Sequence, residues 1–236
     1  MQRSDLRRSM YELGGNSRAQ RITLALIVGL WIALAWWLLL AGGLEKARHY
    51  FYWIGVPGNA ARRITLGTAF SIYYFRILFT EFVLLKRGVS WSEVFTIASW
   101  LLFIFLWLGI AGGTNPNALG VAASAGVVLF LVGSWMNSHA EYTRHLWKQQ
   151  SENRGRLYTQ GLFRYCRHPN YLGDEISFSG LCLISGKWET VVIPALMLAG
   201  FLFVNIPILD SHLHDHYGAA FDEYARRTRR LIPFLY

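Results

Sequence analysis

The sequence predicts an all-α polytopic membrane protein with about six transmembrane helices, and three observations predict it. Of 236 residues, 53% are hydrophobic and only 16% are charged. The apolar residues come in long unbroken blocks, each near the length a bilayer core requires, instead of at the spacing of an amphipathic surface helix. Lys and Arg alternate across those blocks. Seventeen of the 23 fall in the N-terminal arm, the second loop, the fourth loop and the tail, five fall in the opposite loops, and Arg76 lies inside a block. By the positive-inside rule this bias puts both termini in the cytoplasm. It also accounts for the net charge of +9 without a nucleic-acid partner.

Taken in order, residues 1–21 are polar and form a short cytoplasmic arm. Ile22 to Leu44 is the first span; it is too long for a signal-peptide core, and no small-residue cleavage site follows it. Glu45 to Arg63 is an aromatic-rich loop containing HYFYW (49–53), whose simplest role is an interfacial belt. The second and third spans are Ile64 to Leu85 and Val94 to Gly112. TNPN at 114–117 is a tight turn, since Asn and Pro favour turns. It leads into Ala118 to Met136, whose Gly, Ala and Ser residues let helices approach closely in lipid. Tyr171 to Ser185 is a shorter span carrying Asp174 and Glu175, and Val191 to Leu209 is the last. The chain thus divides into an N-terminal arm (1–21), N-terminal transmembrane helices (22–136) and a C-terminal membrane region (137–236). Cys166 and Cys182 have no framework spacing and imply no disulfide. No segment repeats.

Polar side chains gather in four places. In NSHAEYTRHLWK (137–148), Asn137, Glu141, Arg144, His145 and Lys148 share one helical face. The plain alternative is a solvated face held by i,i+4 charge pairs. In ENRGRLYTQGLFRYCRHPNYLGD (152–174), Pro169 stops any helix running through His168. Asn170 is expected to cap a new helix with Asp174 in its first turn. Together with Arg154, Arg156, Arg164 and Arg167, that helix start suits an anion. Phosphate and an anionic lipid headgroup both fit. In the tail LDSHLHDHYGAAFDEYARRTRRLIPFLY (209–236), Asp210 and His214, and His212 and His216, stand four apart. That spacing suits a shared metal, but a satisfied polar helix explains it with fewer demands, and no metal is assigned. Within the second span, Tyr73, Arg76, Thr80 and Glu81 are polar at membrane depth. Such residues normally face a cavity or a partner, an internal structural salt bridge being the plain alternative.

These pieces, in order, resemble the membrane reductases of the steroid 5α-reductase type, a DUF1295-like family, and more distantly the sterol C14 and C7 reductases. The resemblance lies in N-x-H-x-[D/E]-Y at Asn137, His139, Glu141 and Tyr142, with Lys148 seven residues after the acid. It continues through G-L-F-x-Y at Gly161 to Tyr165 and N-[F/Y]-L-G-[D/E] at Asn170 to Asp174. RHPNYLGD (167–174) resembles the sterol-reductase branch. The I-P-F ending, and Tyr73, Arg76 and Arg87 on an early helix and its loop, are similar too. The resemblance implies a cytoplasm-facing cofactor cavity in the C-terminal half. It further implies NADPH as cofactor and hydride transfer to an activated carbon–carbon double bond of a lipid-like substrate. Positions carried over as cofactor contacts are Arg76, Arg87, Asn137, Glu141, Lys148, Asn170, Asp174 and Tyr217. Arg167, His168 and Tyr171 of the same motif, and Asp210 and His214 of the tail, complete that set. Tyr73 matches the family's catalytic tyrosine. Such a cofactor site also explains the lack of G-x-G-x-x-G.

The sequence departs from the family in two ways. No Gln-Glu pair precedes Tyr73 to grip a substrate ketone, which leaves Glu81 as the stand-in catalytic acid. Only one span precedes Tyr73 where the family has two. A second class shares R-H-P-x-Y-x-G and a related tail, here Leu209, Asp210, Leu213, Tyr217 and Gly218. These are the isoprenylcysteine carboxyl methyltransferases, for which the cofactor is S-adenosylmethionine. Asn137 with Glu141, and Asn170 with Asp174, favour the reductase. A non-enzymatic membrane scaffold is disfavoured by the density of polar residues at membrane depth. The membrane itself and a small lipid-like molecule are the expected partners, with no obligate protein partner.

Overall fold

The computed structural model describes residues 17–52 and 54–235. Most of the predicted arm, and Trp53 of the aromatic segment, lie outside the described residues. Regular structure among the described residues is helical.

Helix α1, Arg18–Leu40, is the first predicted span, but it ends four residues early. The chain breaks where Gly42 takes a left-handed φ of +82°, which glycine adopts without steric cost. The short helix α2, Gly43–Tyr50, follows. Helix α3, Ala60–Phe79, starts where the Asn59 side chain accepts the Arg62 amide at 3.1 Å. It continues into a π-helical turn, Thr80–Leu84. Helix α4, Trp91–Gly113, is capped by Ser90, which accepts the Glu93 amide at 3.1 Å.

Helix α5, Val121–Gln149, is 29 residues long, about 43 Å at 1.5 Å per residue. The fourth predicted span and the Asn137–Lys148 face are therefore one continuous rod. Helix α6, Pro169–Ser185, has Pro169 in its first position, where the missing N–H costs nothing. His168, not Asn170, stands at the cap, and it makes no side-chain cap bond. Asp174 falls beyond the first turn, so the expected cap at Asn170 and the dipole site for Asp174 are both corrected. A 3-10 turn (Trp188–Val191), helix α7 (Val192–Gly200), a π turn (Phe201–Asn205) and helix α8 (Ile206–Tyr217) run on as one composite rod. Gly218, at φ +52°, turns the chain into α9, Ala219–Arg227.

Four stretches are long and apolar enough to cross a membrane: Arg18–Leu40, Trp91–Gly113, Val121–Gln149 and Trp188–Tyr217. The tightest seam joins α5 and α6 through glycines seven residues apart on each helix. A Cβ at Gly126 would stand 2.6 Å from the Gly180 carbonyl oxygen, and one at Gly133 would stand 2.4 Å from that of Gly173. Backbones this close gain van der Waals contact that larger residues would forbid. The seam also sets Asn137 of α5 against the first turn of α6. At the opposite end, Asn115 of the TNPN turn donates to the carbonyls of Ser185 (2.9 Å) and Gly186 (3.2 Å). Buried Arg62 donates to Asn117 and Ala118 at 3.2 and 3.0 Å, and to the Ile184 carbonyl. These bonds cap the C-terminus of α6 and fix its height against α3. Phe70 of α3, Phe105 of α4 and Phe178 of α6 fill the core between them.

Candidate functional site

Tyr73 and Arg76, three residues apart, are neighbours on the surface of α3. The Arg76 Nη2 donates to Asp174 Oδ1 on α6 at 2.6 Å, with the two side chains only 8% and 20% exposed. The guanidinium carbon lies 4.4 Å from the centroid of the Tyr73 ring. That ring meets Phe178 edge-on at 5.1 Å and Phe105 at 6.3 Å. A charged pair is thus held between two helices, with a phenol packed against it. Arg76 pairs with Asp174 on α6 and not with Glu81, so the buried arginine does sit in an internal salt bridge. Glu81 stands eight residues beyond Tyr73, about 12 Å along the helix, and its charged neighbours are Arg21, Arg87 and Glu93. Among the described residues, four buried polar atoms in this half of the molecule have no hydrogen-bond partner: Arg76 Nη1, Glu81 Oε2, Arg167 Nε and Glu175 Oε2.

The polar face of α5 spreads over several partners. Asn137 Nδ2 donates to the Asn170 carbonyl at 3.0 Å, just above the glycine seam. Glu141 pairs with Arg144 at 3.3 Å. His145 Nδ1 reaches the Leu84 carbonyl at 3.3 Å, tying α5 to the π turn of α3. Lys148 Nζ donates to the Tyr217 hydroxyl at 2.8 Å and also to the Arg156 carbonyl, which joins α5, α8 and the following loop. Arg87 binds Glu93 through Nη1 at 2.9 Å and through Nη2. Arg21 donates to the carbonyls of Glu81, Leu85 (3.0 Å) and Arg87 (2.7 Å), closing the open end of the π turn.

A third group gathers on Asp210 of α8. Its Oδ2 accepts from Arg167 Nη2 at 2.8 Å and its Oδ1 from His168 Nε2 at 2.9 Å. The His168 ring stacks on Tyr171 (5.4 Å, 11°), and Tyr171 stacks on Phe201 (4.7 Å, 5°). Beside them, burial pushes the Cys166 thiol up to about 11, only partly offset by the His168 backbone amide. Burial likewise raises the phenol of Tyr224, which donates to the Phe163 carbonyl at 2.7 Å. His214 pairs with Asp222 at 2.8 Å, and His212 and His216 stack with centroids 6.3 Å apart. Arg154, Arg156 and Arg164 are exposed, whereas Arg167 is buried.

The residues predicted as one set therefore fall into four neighbourhoods: Tyr73 with Arg76 and Asp174; Asn137 with Asn170; Lys148 with Tyr217; and Arg167, His168 and Tyr171 around Asp210. Glu81 and Arg87 stand with Arg21 and Glu93, and Glu141 and His214 on local pairs. Sequence reasoning named Glu175 but gave it no role, although an acid at membrane depth beside Asp174 is itself a signal. It also missed the role of Phe201, for which the sequence carries no signal.

A family profile described as a protein of unknown function, DUF1295, matches residues 73–228, more than half of the chain and all four neighbourhoods. The chain is 30% identical over 189 residues to the 3-oxo-5-alpha-steroid 4-dehydrogenase 2 of Rattus norvegicus, covering 77% of this chain and 70% of the rat protein. Against the human protein of the same name, identity is 27% over 197 residues, covering 80% and 73%. A shorter match, 41% over 63 residues, is to a probable O-methyltransferase, ustE, of Ustilaginoidea virens. It covers 27% of this chain and 22% of that protein. The chain belongs to the DUF1295 family and is a relative of the 3-oxo-5-alpha-steroid 4-dehydrogenases, the steroid 5α-reductases.

Proposed function

We propose that this protein reduces an activated carbon–carbon double bond in a lipid-like substrate (a steroid, sterol or other isoprenoid enone), with NADPH as the cofactor. The observation that carries the reading is the Tyr73–Arg76–Asp174 cluster on α3 and α6, in a chain of the steroid 5α-reductase kin. Burying a guanidinium at this depth costs at least ~2.5 kcal/mol, and such groups mark functional sites by default. Arg76 keeps one buried donor, Nη1, without a hydrogen-bond partner, a donor that a further acceptor would satisfy.

NADPH fits this donor set. Arg76, Asp174, Asn137 and Asn170 supply guanidinium, carboxylate and amide groups for a nicotinamide and ribose. Lys148 and Tyr217 supply a cation and a phenol on the cytoplasmic side, and the exposed Arg154 and Arg156 suit a 2′-phosphate. When bound, the cofactor supplies the hydride. The chain's own work is to deliver a proton and to stabilise the charge that builds on the substrate oxygen. Tyr73 Oη is the hydrogen-bond or proton donor. Arg76 holds the phenol by its ring contact and supports negative charge nearby, and Asp174 fixes Arg76. Glu81 remains the second acid, on the π turn one stage further along α3.

The same reading takes six helical spans, adding α3 and α6 to the four long apolar stretches, with both termini in the cytoplasm and the cofactor entering from that side. Helix α6 has 17 residues, about 25 Å, and is the shortest of the six.

A second reading, an S-adenosylmethionine-dependent methyltransferase, is favoured by the match to the probable O-methyltransferase. Thermal unfolding of the purified protein with NADPH, NADH or S-adenosylmethionine separates the two. A ligand at a hundred times its dissociation constant stabilises the native state by about 2.7 kcal/mol. Stabilisation by NADPH is expected. Stabilisation by S-adenosylmethionine alone would transfer the case to the methyltransferase.

A further inference from the structure

The C-terminal segment beyond α9 returns to the motif loop. The Arg167 amide donates to the Arg229 carbonyl at 2.8 Å and the His168 amide donates to the Arg230 carbonyl at 3.1 Å. Cys166 and Arg229 pair as a parallel bridge. Arg167 Nη1 donates to the carbonyls of Ala225 (3.2 Å) and Thr228 (2.8 Å). Thr228 and Leu231 are buried, which anchors the segment by its side chains as well as its backbone. Asp210 closes the arrangement from the opposite side by holding Arg167 and His168 together, with Arg230 Nε at 3.9 Å.

Two carbonyls and one carboxylate already occupy the terminal nitrogens of Arg167. Both oxygens of Asp210 are taken as well. Only Nε of Arg167 is left without a partner, and that atom is buried, so what these side chains chiefly determine is the place of their neighbours. His168, held by Asp210, is the first ring of the stack that carries Tyr171 and Phe201. Pro169 follows immediately, so the height of His168 also sets where α6 begins and hence where Asn170 and Asp174 stand.

We infer that residues 228–231 form a strap that holds the 166–171 loop in its binding geometry, with Asp210 and Arg167 as positioning residues and not ligand contacts. This rests on the cofactor reading above, and the tail thereby sets cofactor affinity without touching the cofactor.

Cys166 gives a readout that needs no cofactor. It is 1% exposed beneath the strap, and with its thiol held protonated by burial it should react slowly with a maleimide. The experiment uses the full chain with Cys182→Ser, so that Cys166 is the single thiol. N-ethylmaleimide labelling is followed by mass spectrometry, and NADPH affinity is measured by titration. The variants are Asp210→Asn and a replacement of residues 228–231 by Gly-Ser-Gly-Ser. Labelling should accelerate in both variants. NADPH affinity should fall at least about tenfold, the equivalent of one charge-assisted hydrogen bond lost. The unliganded variants should still unfold cooperatively.

Fast labelling of the parent, or faster labelling with NADPH affinity held within about twofold, overturns the inference. So does failure of both variants to fold, which would make the strap purely structural. If the parent binds S-adenosylmethionine and not NADPH, the reductase reading fails by itself, and the strap is judged on S-adenosylmethionine affinity by the same criteria. Binding of neither overturns both.

Discussion

Replacing Asp174 with Ala tests the central cluster most severely. The change removes the carboxylate 2.6 Å from Arg76 and leaves a guanidinium that is 8% exposed with neither terminal nitrogen paired to an acid. Removing one partner of a buried ion pair costs about 3–5 kcal/mol, because the remaining charge is uncompensated. For a chain of this size each kcal/mol moves the unfolding midpoint by roughly 2–4 °C. The expected fall is therefore about 6–20 °C, toward the lower end because Asp174 is 20% exposed. The companion variant Arg76→Met/Asp174→Leu replaces both charges by apolar groups of similar bulk. It should recover most of the midpoint, since an apolar pair is often as stable as the buried salt bridge it replaces. It should nevertheless lose cofactor binding. Thermal unfolding in detergent, read by intrinsic tryptophan fluorescence, measures both variants. A fall below about 2 °C for Asp174→Ala, or a double variant no more stable than the single one, would refute the argument that this pair is buried and mutually compensating.

Three further outcomes are expected. Tyr73→Phe should keep the NADPH-induced stabilisation but lose about 100- to 10,000-fold in turnover, as for a missing general acid; turnover within about threefold of the parent would strip Tyr73 of that role. Gly133→Val forces a side chain toward a carbonyl oxygen that a bare Cβ would already approach to 2.4 Å, so α5 and α6 must part. The destabilisation should be at least about 1–3 kcal/mol by thermal unfolding, and an unchanged midpoint would contradict the seam. Arg154→Ala/Arg156→Ala should weaken NADPH more than NADH, since only NADPH carries the 2′-phosphate that these exposed cations could pair. Titration with both nucleotides checks this, and an unchanged preference removes the assignment.

The long apolar blocks and the positive-charge bias were enough to read an all-helical membrane chain from the sequence, and the greater part of each block is helical. The ends were less legible. Leu40 and Leu44 are equally apolar, and only the left-handed Gly42 between them ends α1. At Pro169 the expected helix start was two residues late, and the cap passed to His168 because proline itself takes the first helical position. The polar face of 137–148 was legible as part of a helix leaving the membrane, and α5 runs unbroken from Val121 to Gln149. In the site, Tyr73 and Arg76 could be paired from helical spacing, but their partner lies 98 residues beyond Arg76, and no local pattern names it. The motif RHPNYLGD pointed to its own residues but not to Asp210. That contact depends on how α8 folds back, a property of tertiary packing.

The proposed reaction is hydride transfer from NADPH to a lipid carbon–carbon double bond. Its most direct test supplies NADPH deuterated at the nicotinamide C4, in each stereoisomer separately. The purified protein and its Tyr73→Phe variant are each incubated with a 3-oxo-4-ene steroid and with an extract of isoprenoid lipids, and the products are analysed by mass spectrometry. The expected result is a product with one deuterium on a formerly unsaturated carbon, from one stereoisomer only, made by the parent and almost absent with Tyr73→Phe. Deuterium in no lipid product, with a methyl group transferred from S-adenosylmethionine in a parallel incubation, would contradict it.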